Sequence, residues 1–277
     1  MTALLHDVTF TCFGLSYLLA LLLELAAMRW SRPRLRILGL VFGTLGLLTH
    51  SLYLASKHPT PAKPYGALLS VAWVLAIFYL YGALHYTRRA WAIFVLPIVL
   101  GLVGLAFVVV RQSAPPSESE LMFGMSGDHI WGAVHGVLLL LASVGVCVGF
   151  IASIMYLIQA RRLRKKLNPL GGMRLLNLER LEQMNRQAVN LAFPLLTLGL
   201  LLGAVLLEQY HNLANQWFSP KVLGTFGLWL VFLVLLYLRY AVHVPARRLA
   251  WFTILAFSLM VLVLVAAHPF AQAEGRS

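Results

Sequence analysis

The residues of this chain that could do chemistry are three histidines and one short polar stretch between two long apolar runs. The histidines are His50, His135 and His268, and the stretch covers residues 208–221, EQYHNLANQWFSPK. Neutral imidazole is a common metal ligand, so each histidine could coordinate a metal. Histidines in apolar segments also act as hydrogen-bonded packing residues or as interfacial anchors, and their positions in the sequence leave both roles open.

Aromatic side chains accompany these residues. Trp131 lies four residues before His135, so the two share one face of a helix. Tyr210, Trp217 and Phe218 lie within the polar stretch. Together these rings could line a flat apolar slot for a metallated ring at a membrane interface. They are equally typical of the ordinary belt of interfacial aromatic residues.

Membrane-spanning helices must position these residues. Of the 277 residues, 60% are hydrophobic and only 11% are charged. Several apolar runs exceed the roughly 18 residues that mark a spanning helix, and they lack the period-two alternation of a membrane barrel. We therefore predict an all-α fold, a polytopic bundle of about eight spans. The spans are expected near residues 8–29, 36–56, 66–86, 91–110, 130–159, 188–207, 221–241 and 248–268.

Basic residues fall mainly in alternate connections between the spans. Seventeen of the 22 lysines and arginines lie in four segments, which are residues 29–36, 88–89, 160–187 and 239–248. The positive-inside rule makes this side cytoplasmic and places both termini outside. This distribution also explains the net charge of +13. No nucleic-acid-binding motif is present, so we expect the lipid membrane, and no nucleic acid, as a partner.

The two cysteines exclude thiol redox chemistry. Cys12 and Cys147 both lie within predicted spans and have no CxxC or CxxCH spacing. Such cysteines are small apolar packing residues. The chain is therefore neither a thiol oxidoreductase nor itself a c-type cytochrome.

Small and charged residues predict two further features of the bundle. Gly39 and Gly43 have GxxxG spacing, as do Gly199 and Gly203, which allows close approach of neighbouring helices. Residues 173–187 have the pattern of an amphipathic cytoplasmic helix that leads directly into the sixth span.

One region of the chain resembles a known family. The motifs LERL at 178–181, NR at 185–186, FPLLTLGL at 193–200 and GA at 203–204 resemble a span of the cytochrome c assembly family. That family includes the CcsA, CcmC, CcmF and HemX-like proteins, and its matching span precedes a tryptophan-rich loop. The loop's WxWDPKE core is similar to QWFSPK at 216–221, and Trp229 falls where the family's next helix has a tryptophan.

The resemblance extends from about residue 50 to residue 268 within a single family domain over residues 1–277. It implies that haem (haem b) is bound edge-on by the loop at the outer membrane face. His135 and His268 then correspond to the two axial ligands of the iron. His50 matches an intramembrane histidine of the haem-conducting members. The residues implied in the slot and at the propionates are Trp217, Phe218, Tyr210, Trp131 and Lys221.

Some family residues are replaced in this chain. Tyr237 lies near the position of a second intramembrane histidine, and Ser219 and Val222 stand where the family's loop has Asp and Glu. Trp217 is the only tryptophan left in the loop. These replacements argue against haem transport through the membrane, and they weaken the expected haem binding at the outer face without removing it.

The resemblance implies a role in the bacterial cytoplasmic (inner) membrane. The expected function is to hold or present haem for attachment to apocytochrome c, without chemical turnover by this chain itself. The chain has no large outer domain, so attachment would require a partner assembly protein that has one. The alternative is a HemX-like regulatory or scaffold protein that acts on haem biosynthesis enzymes through residues 160–187. A small-molecule transporter is disfavoured because no broken helix pairs or inverted repeat stand out.

Overall fold

Eight long helices account for nearly all of the chain that the structure describes. The structure is a computed structural model, and it describes residues 10–30, 32–57, 64–85, 91–112, 129–165, 176–209 and 220–266. The helices are α1 (Phe10–Trp30), α2 (Pro33–Lys57), α3 (Pro64–His85), α4 (Trp91–Gln112), α5 (His129–Arg164), α6 (Leu178–Gln209), α7 (Pro220–Tyr240) and α8 (Ala246–Ala266). These residues contain no strand, which confirms the predicted all-α fold.

Each of the eight helices is long and apolar enough to cross a membrane. The shortest have 21 residues and α5 has 36, against the ~20 residues that span a bilayer. The chain is therefore a multi-pass membrane protein, as predicted. The helix bounds do not depend on which side the ends face, so the outer placement of both termini stays a prediction.

Proline marks the start of three helices. Pro33, Pro64 and Pro220 are the first residues of α2, α3 and α7. Proline suits this position because its fixed φ is helical and the first helical N–H has no partner within the helix. The predicted amphipathic helix is also present, although it begins at Leu178 and runs without a break into the sixth span.

The chain divides into two compact units. The first consists of Met1–Val110 and Ile158–Leu178, and the second of Arg111–Leu157 and Glu179–Ser277. Among the described residues, the first unit thus contains α1 to α3 and most of α4. The second contains most of α5 and of α6, together with α7 and α8. The single family domain over residues 1–277 stays a prediction.

Glycine brings helices into close contact in the first unit. A Cβ atom at Gly39 would lie 3.4 Å from the backbone oxygen of Ala20 in α1. A Cβ atom at Gly43 would lie 2.6 Å from Cε1 of Tyr79 in α3, whose side chain is fully buried. The GxxxG pair of α2 therefore faces two different neighbours, which confirms the predicted close approach.

A seam of small and polar residues joins α5 to α6 in the second unit. A Cβ atom at Gly145 would lie 2.9 Å from Cβ of Ala192. Towards one end of the seam, Asn185 donates to Ser153 Oγ at 2.8 Å, and towards the other the ring of His135 covers Gly203. The paired positions fall along one helix as they rise along the other, so the two helices run antiparallel in one constant register.

Asn185 connects the four helices that the structure describes in the second unit. Besides Ser153 Oγ, its Nδ2 lies 3.2 Å from the carbonyl oxygen of Gly149 in α5 and 3.1 Å from Thr253 Oγ1 in α8, so its two N–H groups are shared among three acceptors. Its Oδ1 accepts a hydrogen bond from Nη2 of Arg239 in α7. Interhelical hydrogen bonds of this kind are an important attraction between spans, because hydrocarbon provides no hydrophobic drive for their association.

The packing at Gly43 can be tested with a glycine that has open space around it. We expect Gly43→Ala to lower the free energy of unfolding by about 1–3 kcal/mol, since the added methyl group must displace the buried Tyr79 ring. Gly101→Ala is the matched control, because a Cβ atom there would meet nothing within 4 Å. Thermal unfolding of the detergent-purified variants measures the difference. Equal unfolding temperatures for both variants would show that Tyr79 does not limit the approach of α2 and α3.

Candidate functional site

The ring of His135 is held in one orientation by the backbone of α6. Its Nδ1 lies 2.8 Å from the carbonyl oxygen of Gly199, and the residue is half-buried. A carbonyl oxygen can only accept, so Nδ1 carries the proton. In a neutral imidazole this leaves the lone pair on Nε2. Histidines that bind metals are typically held in this way, with the other ring nitrogen donating to a backbone carbonyl or a carboxylate.

The second glycine of the α6 pair provides the space for this ring. A Cβ atom at Gly203 would lie 2.7 Å from Cε1 and 3.2 Å from Nδ1 of His135. The imidazole therefore packs directly on the backbone of α6. Gly199 provides the acceptor and Gly203 the room, which gives the GxxxG spacing of α6 a specific purpose.

Trp131 lies one turn before His135 on α5. Its side chain is 58% exposed, so it adds little to the packing of the second unit. An exposed indole beside an oriented imidazole suits either of the predicted roles, the edge of a flat slot or an interfacial anchor.

His50 has a different environment, in the first unit. The side chain is completely buried, and Phe13 stacks on the ring at a centroid distance of 4.4 Å and an interplanar angle of 4°. The hydroxyl oxygen of Tyr17 lies 3.4 Å from Nδ1. Nε2 is buried, with no hydrogen-bond partner among the residues that the structure describes. Buried polar atoms are nearly always paired, so this nitrogen requires a partner.

The remaining predicted site residues cannot be placed. His268, Tyr210, Trp217 and Phe218 lie outside the described residues, as does the side chain of Lys221. The joint ligation of one iron by His135 and His268 therefore stays a prediction. Within the described ranges, no three His, Cys, Asp or Glu side chains are grouped so that they could hold a metal ion.

Two aromatic positions of α7 have opposite environments. Tyr237, near the place of the family's second intramembrane histidine, is 63% exposed. Trp229 instead packs inward, where its Nε1 donates to Thr197 Oγ1 of α6 at 3.0 Å and its ring stacks on Phe193 at 5.9 Å. Trp229 thus ties α6 to α7.

The sequence motifs do not predict the polar contacts around Asn185. In the sequence, Asn185 is part of a family motif, and Arg239 belongs to the basic residues that the charge pattern predicts to be cytoplasmic. Ser153 and Thr253 are common in membrane helices and give no signal alone. A useful signal was that Ser153, Arg239 and Thr253 lie in three different predicted spans, where each needs a partner, and that Asn185 lies just before a fourth span.

The fold and the two packed histidines together define the class of this protein. It is a polytopic helical membrane protein that holds one imidazole inside its first unit and another against a glycine pair in its second. The family described as Cytochrome C assembly protein matches residues 62–267, which is most of the chain. The chain belongs to this family, which confirms the resemblance seen in its motifs.

Curated relatives agree with this assignment. Protein HemX of Bacillus subtilis (strain 168) is 24% identical, over 70% of this chain and 80% of its own length. The cytochrome c biogenesis protein CcsA of Synechococcus sp. (strain JA-2-3B'a(2-13)) is also 24% identical, over 71% of each chain. CcsA of Guillardia theta is 23% identical, over 77% of this chain and 75% of its own. No solved structure matches the chain.

The packing of the His135 ring on Gly203 leads to a testable prediction. We expect the added methyl group of Gly203→Ala to push the His135 imidazole away from α6. This breaks the hydrogen bond to the Gly199 carbonyl, so that either ring nitrogen can carry the proton. Histidine-selective NMR of isotope-labelled protein in micelles should then show His135 as a mixture of tautomers in place of the single Nδ1–H form. Gly136→Ala, next to His135 on α5, is the control because its Cβ atom would meet nothing within 4 Å. A single Nδ1–H form in the Gly203→Ala protein would refute this account of the glycine.

Proposed function

We propose that this chain binds haem and holds or presents it at the outer face of the bacterial cytoplasmic membrane for attachment to apocytochrome c. Two observations support the proposal. The chain belongs to the cytochrome C assembly family, and two of its relatives are named cytochrome c biogenesis proteins. The structure also contains a histidine whose geometry suits axial ligation.

That histidine is His135, and it carries the proposal. The hydrogen bond from Nδ1 to Gly199 leaves the lone pair of Nε2 for a metal and fixes the plane of the ring. Haem, when bound, would supply an iron centre that accepts imidazole nitrogen, and His135 would hold it through Nε2. The chain's contribution is to present an imidazole whose ring plane is already fixed, so no rotation of the ring is needed on binding.

We propose that His268, which closes the last predicted span, would hold the haem iron together with His135. Trp131, Tyr210, Trp217 and Phe218 would form an apolar slot around the ring. Lys221, in the first turn of α7, would pair with a propionate, since a carboxylate needs a cation or hydrogen-bond donors.

His50 would serve as a separate, intramembrane site. Its Nε2 is sealed inside the first unit and has no partner among the described residues, whereas Nδ1 is within reach of the Tyr17 hydroxyl. A buried nitrogen in this state could bind an iron centre that enters the unit. The stacked Phe13 ring would hold the imidazole plane fixed during binding.

In this proposal the chain has no bond-breaking role. Attachment of haem to apocytochrome c would take place with a partner assembly protein that has an outer domain. The task of this chain is then to restrict the orientation of haem and keep it at the membrane surface.

Haem binding can be tested by the visible absorption of purified protein. We expect the wild type to show a Soret band, either as purified or after addition of haem. His135→Ala and His268→Ala should each lower haem affinity by at least about tenfold, since each removes an axial ligand. The control is His85→Ala, because His85 is exposed at the end of α3 and also has its Nδ1 near a backbone carbonyl, that of Tyr81 at 3.0 Å. A wild type that takes up no haem, or a His135→Ala variant that binds as well as the control, would contradict the proposal.

A second candidate function is regulation of haem biosynthesis enzymes, as a HemX-like scaffold. Two observations favour it, the match to Protein HemX and the exposure of Arg180 and Arg186 in the first turns of α6. A scaffold would be purified without colour and would retain such an enzyme. That retention should be lost in Arg180→Gln if residues 160–187 are the contact. A coloured preparation that retains no enzyme would favour haem presentation.

A further inference from the structure

A small cavity in the second unit adjoins an arginine that haem binding does not use. The cavity has a volume of about 10 Å³. A volume of this size holds roughly one water-sized atom. Four helices contribute to its wall, which is lined by Ser153, Tyr156, Leu181, Glu182, Asn185, Arg239, Ala246 and Ala250.

One side of the Arg239 guanidinium has no partner in this wall. Nη2 donates to Asn185 Oδ1, whereas Nη1 is buried and has no hydrogen-bond partner among the described residues. Asn185 is itself fixed by hydrogen bonds to α5 and α8, so the guanidinium is held in place. A buried N–H of a cation that lacks an acceptor costs more than a neutral one. No acceptor among the described residues meets this N–H, so the arrangement favours an acceptor that enters the cavity.

The charges around the cavity identify the acceptor as an anion. Arg239 interacts electrostatically with Arg186, which repels it, and with Glu182, which attracts it. The positive charge of Arg247 also interacts electrostatically with Tyr156, which lies in the same wall. Three arginines thus act electrostatically on or within this wall, against the one carboxylate of Glu182, and positive charge is in excess.

We propose that this cavity is the anchor point of a phosphate-binding site. One phosphate oxygen fits a space of about 10 Å³ and would accept from Nη1 of Arg239. The other oxygens would remain outside this space, where the Tyr156 hydroxyl in the wall would donate and the positive charges of Arg186 and Arg247 would attract them. Guanidinium groups bind phosphate in charge-assisted hydrogen bonds, often in pairs. A phosphate carries enough charge and oxygens to satisfy this set of donors, and Glu182 would limit binding of weaker anions.

The phosphate could come from an anionic lipid or from solution. The site lies where α7 ends and α8 begins, within the basic segment 239–248. The positive-inside rule places this segment at the cytoplasmic surface, where anionic lipid headgroups lie. The proposal does not depend on haem binding, since it uses neither His135 nor His50.

Ligand-dependent stability tests the site. Detergent-purified wild type would be titrated with phosphatidylglycerol in mixed micelles, with phosphatidylcholine as the neutral lipid, and separately with inorganic phosphate. We expect one or both phosphate probes to raise the unfolding temperature. Arg239→Gln should lower the affinity for whichever probe stabilises the wild type by at least about tenfold, because it removes a charged donor. Arg248→Gln, which lies next to Arg247 but not in the cavity wall, should change the affinity by less than about twofold.

The two titrations separate the sources of phosphate. A response to phosphatidylglycerol alone assigns the site to a lipid headgroup, and a response to inorganic phosphate assigns it to the free anion. The proposal is overturned if neither probe stabilises the wild type more than phosphatidylcholine does, or if Arg239→Gln responds like Arg248→Gln. If Arg239→Gln does not fold, Tyr156→Phe decides, because it keeps the ring and removes only the hydroxyl. Unchanged affinity in Tyr156→Phe would then refute the site.

Discussion

The side-chain amide of Asn185 is the interaction on which the second unit depends. Two apolar helices in hydrocarbon gain little from contact with each other, so polar contacts and close packing must determine how they meet. Asn185 reaches side chains or backbone of α5, α7 and α8 at once. Together with the small residues along the rest of the seam, these contacts fix the register of α6 against α5. The same position brings Gly199 and Gly203 under the imidazole of His135, so the orientation of a candidate ligand depends on a hydrogen bond at the far end of the helix pair.

The two described histidines of interest show why position in the sequence did not decide their roles. Each is the single histidine of its apolar run and lies towards the end that the charge pattern predicts to be outside. His50 is enclosed by Phe13 and Tyr17 and keeps one nitrogen without a partner, whereas His135 is half-buried and has its proton assigned by a carbonyl. These differences arise from residues on other helices. They suit a sealed intramembrane site in one case and an accessible ligand in the other.

Much of the fold could be predicted from the sequence because spans depend on length and composition alone. All eight spans were predicted close to their observed bounds, and proline starts three of the helices. The candidate site was less predictable. The carbonyl that orients His135 belongs to Gly199, and the acceptor for Arg239 belongs to Asn185, both on a different helix. The sequence can signal that a polar residue in a span needs a partner, but it does not identify that partner, since contacts between spans follow from helix rotation and register. The loop residues of the proposed haem slot lie outside the described residues and remain predictions.

The antiparallel seam between α5 and α6 also restricts how this protein could change in length during evolution. A residue deleted from α5 between Ser153 and His135 would turn one end of the helix by about 100° relative to the other. Asn185 would keep its partner, and His135 would face away from the α6 glycines. Insertions and deletions should therefore accumulate in the connections between helices, while these two segments keep a fixed spacing in any homologue that retains both the amide contact and the imidazole.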